Sequence, residues 1–230
     1  MTGTGKPTAS GKKYLLWDHD GVLVDTEQWY YEATRRKIAD LGITLELEDY
    51  LVRMVDGLSS WDLAIAAGTA ESDARDKRLE RDELYREFLA TEDIEIPGVL
   101  PVLATLAEHF GMAIVTTSKG ADFEVIHRER QIVSHMDFVL VREDYELSKP
   151  HPEPYLLAVE RFGATLDECL VIEDSQRGLK AAVAAGIECA VVYNAFTAGQ
   201  DFANATYRIQ SLAELPALLG IAGHREGPAH

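Results

Sequence analysis

Asp18 and Asp20 stand one residue apart at the end of the apolar run YLLW, and Gly21 follows them. On an extended chain alternate side chains share a face, so both carboxylates should point the same way beyond a buried strand. Carboxylates that close repel, and a cation, a shared proton or a chemical task keeps them together. The other reading is a solvated turn, for which Asp and Gly are ordinary residues. Two further apolar runs end in polar groups, and a loop after a third carries a lysine. AIVTTSKG delivers Thr116, Thr117, Ser118 and Lys119, hydroxyls and an ammonium running into a helix start, where backbone N–H groups favour an anion. CLVIEDS delivers Glu173 and Asp174, and SKPHPEPY holds Lys149 in a loop braced by Pro150, Pro152 and Pro154. Singly, each has a structural explanation: hydroxyls and aspartates after strands cap helices, and a lone lysine lies on the surface. Together they describe a divalent cation beside a phosphate. Carboxylate oxygens suit Mg²⁺, while ammonium and hydroxyl groups suit phosphoryl oxygens.

These groups meet only if their strands lie side by side. After the strand at 14–18, helical spacing predicts a helix over 25–42, started by a capping-box-like Asp25 and Gln28 and stopped by Gly42. Short helices are expected over 46–55 and 59–67. A charged helix over 71–90 follows, with Leu79, Leu84, Phe88 and Leu89 as its apolar stripe. No strand pattern falls between Val24 and Ile94. From Glu95 onward strands and helices alternate, through MAIVTTS, MDFVLV and ECLVIED to IECAVVYN as the last strand and SLAELPALLG as a final helix. That alternation implies right-handed crossovers and a mostly parallel sheet covered on both faces. The first strand belongs to this sheet, so the helical block is an insertion. The expected division is a disordered tail over 1–12, an α/β core over 13–24 and 95–220, a helical cap over 25–94 and a loose tail over 221–230.

Composition narrows the partners. The 230 residues are 47% hydrophobic, with no apolar run near the roughly 18 residues of a membrane span and no signal-peptide pattern at the start. Cys169 and Cys189 each adjoin a strand-like run and read as buried reduced thiols, consistent with a cytoplasmic location. The formal charge of −17 argues against nucleic acid and anionic membrane as partners, because both need basic surface. An acidic protein that handles an anionic substrate needs a metal or a few well-placed cations inside its site.

The four segments resemble the signature of the haloacid dehalogenase superfamily, a set of Mg²⁺-dependent phosphotransferases. LLWDHDGVLVDTE is similar to its DxDGxLxDTE motif, VTTS to its hydroxyl motif, KPHPEPY to KPxPxxY, and VIEDSQRGLKAAVAAG to EDSxxGxxAAxAAG. The helical insertion after the first motif resembles the subgroup with an α-helical cap, which includes sugar-phosphate phosphatases and β-phosphoglucomutase. The resemblance implies a Rossmann-like, mostly parallel three-layer core. It makes Asp18 the nucleophile that takes the phosphoryl group, and Asp20 the acid that protonates the leaving oxygen and then the base that activates water. Thr116 and Lys149 would bind phosphoryl oxygens, with Thr117, Ser118 and Lys119 beside them. Asp18, the backbone carbonyl of Asp20, and Asp174 would hold Mg²⁺, assisted by Glu173. A carboxylate is ionised at neutral pH and attacks without losing a proton first, whereas Asp20 has to be protonated until the leaving group departs.

Within that family Asp20 argues against the dehalogenases and phosphonate-cleaving members, which do not carry it; the latter also need a cap lysine, and none lies between Lys37 and Lys77. The mutase pattern has a histidine ten residues after the acid/base aspartate, and a lysine before and an arginine after the cap-loop glycine. Tyr30, Asp56 and Ser60 occupy those places here, leaving Arg53 and Gly57 as the cap loop's candidates for substrate contact. The expectation is therefore a monomeric or weakly dimeric phosphatase acting on a small phosphorylated metabolite, a sugar phosphate above all. A phosphomutase and a catalytically silent phosphate-binding protein stand as alternatives. His19 should face away from the aspartates into the core; Trp29, Tyr30 and Trp61 are candidates for the substrate face of the cap, with packing of cap against core the commoner fate of such aromatics.

Overall fold

A computed structural model describes residues 9–221. Its centre is a parallel sheet of β1 (Tyr14–Trp17), β2 (Gly111–Val115), β3 (Phe138–Leu140), β4 (Cys169–Glu173), β5 (Glu188–Val192) and β6 (Tyr207–Ile209), in the order β3-β2-β1-β4-β5-β6. The apolar runs are continuous because both faces are covered. Leu15, Trp17, Met112, Ile114, Leu170 and Ile172 face one layer, with α5 (Val99–Ala107), α6 (Gly120–His127) and α9 (Leu215–Leu218). Leu16, Ala113, Val115, Val171 and both cysteines face the other, with α7 (Glu153–Phe162) and α8 (Gln176–Ala185). Cys169 and Cys189 are buried free thiols. This is the three-layer Rossmann-like architecture, and β6 is a strand that the pattern reading, ending at IECAVVYN, omitted. It is only three residues long and its sequence, YRI, carries an exposed arginine, too little alternation to register as a strand.

Four helices separate β1 from α5: α1 (Glu27–Ala39), α2 (Leu47–Val55), α3 (Trp61–Ala66) and α4 (Glu71–Thr91). Ile38, Leu45, Tyr50, Met54, Trp61 and Ala64 form a small core of their own. Trp29 and Tyr30 pack on Phe88 and Tyr85 with ring centroids 5.4 and 5.1 Å apart. On α4 Leu79 is exposed, contrary to expectation, and Arg81, Asp82 and Tyr85 are buried instead. Arg81 is satisfied there by Asp82, by the Thr34 hydroxyl and by the Tyr30 ring face. The two connections lie side by side, since Val24 bridges Glu95 and the Asp25 N–H donates to the Ile94 carbonyl at 2.9 Å.

The expected tails need one correction. Residues 1–8 and 222–230 lie outside the described residues, but 9–12 are packed. Ala9 is buried and donates to the Leu218 carbonyl, and the Lys12 ammonium reaches the Asp167 carbonyl and Glu188. Ile221 likewise packs against the core and donates to the Pro216 carbonyl.

Candidate active site

Chain order runs outward from β1 to β2 and β3, then returns to β4 on the opposite side, so the sheet reverses direction at β1. Crevices at such reversals, beyond the carboxyl ends of the strands, are where α/β sheets bind ligands. Asp18 follows β1 directly, and its N–H still donates to Ile172 of β4 at 2.9 Å. The chain then turns sharply. The His19 carbonyl accepts from Val22, Leu23 and Val24, and Gly21 takes φ +80°, which favours glycine. Gly21 is needed for a second reason: a Cβ there would fall 2.2 Å from Asp174 Oδ2.

Two carboxylate groups form, separate and differently partnered. In the first, Asp18, Glu173 and Asp174 each bring an oxygen within 4.8 Å of the others, all buried. Lys149 Nζ donates to Asp18 Oδ1 at 2.6 Å and Glu173 Oε1 at 2.8 Å. Tyr155, from the KPHPEPY segment, donates to Glu173 at 2.6 Å, and Ser175 adds its N–H and hydroxyl. Burial raises the Glu173 pKa, but the charge and hydrogen bond of Lys149 outweigh it and leave the group below its usual range. Asp18 has Lys149 alone, so burial, with the charge of Glu173, pushes it up to about 6. Asp174 is raised well above the carboxylate range by burial and then by the charges of Asp18 and Glu173.

The second group centres on Asp20, which accepts from the hydroxyls of Ser118 at 2.7 Å, Thr116 at 3.2 Å and Thr26. Burial alone would raise Asp20. The neighbouring His19, with the Thr26 and Ser118 hydrogen bonds, outweighs it and holds the carboxyl well below the usual range. Three hydroxyl donors fit the ionised form. The protonated Asp20 that the resemblance implies for the first step is therefore not the form this arrangement favours.

The hydroxyls thus serve the site and not the helix ends. Thr26 is the N-cap of α1 but makes no capping bond, and no Asp25–Gln28 capping box forms. At α8 the cap is Ser175, whose Oγ accepts from Gly178 at 3.1 Å, which frees Asp174. His19 is fully buried against Phe123, with its Nε2 2.9 Å from His127 Nε2, but it does not face away from the aspartates: its Nδ1 lies 3.3 Å from Asp20 Oδ2, because strand alternation ends at Trp17 and the chain turns at Gly21.

A cavity of about 290 Å³ adjoins Asp20, walled by Thr117, Ser118 and Lys119 from the β2 end and by Glu27, Tyr30, Tyr50 and Tyr85 from the helical block. Lys119 reaches across to Asp82 at 2.6 Å. Arg53 is not in this wall: its guanidinium is spent on the Ser59 carbonyl at 2.6 and 3.1 Å and on Asp62. Gly57 lines a neighbouring hollow and lies against Pro150, 3.5 Å from where its Cβ would be. Motif reading overlooked Glu27, Tyr50, Arg177 and Asn194. Asn194 follows β5 and donates to Asp174 at 2.9 Å and the Gly21 carbonyl at 3.2 Å. Asn194 stands at the polar end of the run IECAVVYN, as Asp18 and Glu173–Asp174 stand at the ends of theirs.

Asp18, Glu173 and Asp174 fit a hard divalent cation. The donors are all oxygen, and Asp18 and Asp174 are raised because a single ammonium undercompensates their ionised forms, a charge that a divalent cation would balance.

A three-layer sheet with paired acids at its strand ends and a helical insertion after the first defines a class of hydrolase. The chain belongs to the haloacid dehalogenase-like hydrolases, whose family pattern matches residues 15–192. It is 31% identical to YhcW of Bacillus subtilis (strain 168) over 221 residues, covering 90% of this chain and 95% of that one. It is 27% identical to the fructose-1-phosphate phosphatase YqaB of Escherichia coli (strain K12) over 177 residues, covering 76% and 93%. Among solved structures, CbbY from Rhodobacter sphaeroides in complex with phosphate superposes with a TM-score of 0.76 at 25% identity, covering 91% of this chain and 99% of that one. Among the described residues no helix is long and apolar enough to cross a membrane.

Proposed function

We propose that this hydrolase is a phosphatase for small phosphorylated carbohydrates, that it works with Mg²⁺, and that Asp18 carries the phosphoryl group between two half-reactions. The observation that carries this reading is the division of labour among the acids. Asp18 is buried beside Lys149 and the Glu173–Asp174 pair, while Asp20 stands apart on its hydroxyl donors. Carbohydrate phosphates are favoured by YqaB, a fructose-1-phosphate phosphatase by name, and by CbbY, a variant of which is solved with xylulose-(1,5)bisphosphate.

Lys149 and Thr116 hold the phosphoryl oxygens while an Asp18 oxygen attacks phosphorus and the ester oxygen leaves, taking a proton from Asp20. Water then attacks the phosphoryl group, Asp20 accepts its proton, and the phosphorus–Asp18 bond breaks. Asp20 therefore has to bind a proton before the first half-reaction, and its ionised resting form matches the second. Mg²⁺ held by Asp18, Asp174 and Glu173 would offset the charge gathered by substrate and acids. Tyr30, Asp56 and Ser60 in place of the mutase groups, with Arg53 turned to its own loop, favour phosphatase over phosphomutase.

The test is phosphate release from a panel of sugar phosphates and p-nitrophenyl phosphate with Mg²⁺, repeated in chelator and with Asp18→Asn. Turnover should need the metal and vanish in the variant. Activity surviving in Asp18→Asn overturns the nucleophile. Conversion of β-glucose 1-phosphate to the 6-phosphate without release of phosphate would point to the mutase.

A further inference from the structure

The cavity beside Asp20 carries groups that phosphoryl transfer does not use. Glu27 opens α1, and the hydroxyl of Tyr50, on α2, donates to its Oε2 at 3.4 Å; its Oε1 accepts no hydrogen bond among the described residues. Arg177, the second residue of α8, donates from Nη2 to Thr117 Oγ1 at 3.3 Å, and its Nε is buried without a partner. The other cations of the wall are engaged: Lys119 with Asp82 at 2.6 Å, Arg142 with the carbonyls of Tyr145 and Glu146. Glu27 is the strongest charge partner of Arg177, yet the two make no N···O contact within 4.0 Å.

An acceptor and a donor that share one wall but stand too far apart to pair leave room for a group that both donates and accepts. A hydroxyl does both. A second phosphate placed against Arg177 would also meet the Glu27 carboxyl, and an alkyl or aryl group would leave both side chains unpaired, which is costly in a buried site. Tyr30 and Tyr50 line the same wall. We infer that Glu27 and Arg177 together bind a hydroxyl of the substrate's leaving group, which makes them the specificity-determining pair for polyhydroxylated phosphate esters. Tyr50 is the positioning residue that orients Glu27. This inference rests on the phosphatase reading above.

The experiment measures kcat/KM for glucose 6-phosphate, fructose 1-phosphate, sorbitol 6-phosphate and p-nitrophenyl phosphate in wild type, Glu27→Gln, Arg177→Met, Arg177→Lys and the Glu27→Gln/Arg177→Met double variant. The ratio of the best sugar or polyol phosphate to p-nitrophenyl phosphate should fall about 30-fold in Glu27→Gln and in Arg177→Met, mainly through KM, or about 2 kcal/mol at 1.4 kcal/mol per factor of ten. Arg177→Lys should fall by less. The double variant should lose much less than the product of the two, because both side chains grip one hydroxyl. Ratios that change less than about threefold in both single variants overturn the pair. So does a wild type that prefers p-nitrophenyl phosphate to every hydroxylated ester. A wild type that hydrolyses no phosphate at all overturns the phosphatase reading itself.

Discussion

Replacing Lys149 with methionine removes an ammonium whose side chain is only 2% exposed and keeps most of its volume. Its hydrogen bonds to Asp18 at 2.6 Å and Glu173 at 2.8 Å disappear, and three carboxylates within 4.8 Å of one another are left without a counter-charge. Breaking a buried ion pair from one side costs about 3–5 kcal/mol. The cost depends on pH, and the sign follows from where the protons sit. Without Lys149 the folded-state pKa values of Asp18 and Glu173 rise, so between the unfolded value near ~4 and the new folded values the folded protein binds more protons than the unfolded one. Stability is then fully present below the unfolded pKa and is lost as pH rises through the folded ones. The deficit relative to wild type should be greatest at pH 8 and should shrink at pH 5, by about 1.4 kcal/mol per pH unit per carboxyl between its wild-type and its new folded-state pKa, a window that for Asp18 opens only above about 6. Urea unfolding of both proteins at pH 5 and pH 8, in chelator, measures it. A deficit at pH 8 below about 1 kcal/mol, or equal deficits at the two pH values, would refute the reasoning that Lys149 holds this cluster together.

Gly178→Ala tests the packing under Glu173. Alanine normally stabilises a helix interior by about 1 kcal/mol over glycine, but here the new Cβ would fall 1.7 Å from Glu173 Oε1. Urea unfolding should show a loss of about 1–3 kcal/mol, and a gain would be inconsistent with this geometry. Thr26→Val removes one hydroxyl donor from Asp20 without disturbing a helix cap. The titration of the Asp20 carboxyl, followed by NMR in chelator, should move up by about one unit, since a hydrogen bond to a charged group is worth about 1.5–3 kcal/mol; an unmoved titration contradicts the assignment. Burial, with the charges of Asp20 and Asp18, pushes Glu27 up to about 7 from 4.5. Its folded form therefore holds a proton that the unfolded chain releases, and wild-type stability falls between about pH 4.5 and 7. Glu27→Gln should gain on wild type across that range by at most about 3 kcal/mol in thermal or urea unfolding.

Residue types along the chain were enough to determine the alternating sheet, the helical insertion and the family. A strand buried on both faces reads as a short apolar run whatever it neighbours, so three of the motif-bearing strands announced their own polar ends. Strand order was beyond reach, because parallel pairing is a non-local choice that only the assembled sheet makes. The order β3-β2-β1-β4 makes the connection from β3 to β4 cross β1, and Lys149, in that connection, meets Asp18, 131 residues away in the chain. The same holds for side chains whose local role looks ordinary. Thr26 occupies a capping position, but tertiary contact turns its hydroxyl to Asp20. Arg53 looked free to meet substrate, yet its own loop presents the Ser59 carbonyl first. Glu27 closes the first motif segment and Arg177 lies within the last, but neither those motifs nor the position of Tyr50 on a helix says which groups they meet, since that depends on packing between the helical block and the sheet. They become one wall only when the helical block closes on the carboxyl end of the sheet. Sequence therefore determined which chemistry the strand ends supply, and the tertiary structure decided which groups share a proton, a charge or a cavity, because those couplings depend on distance through space.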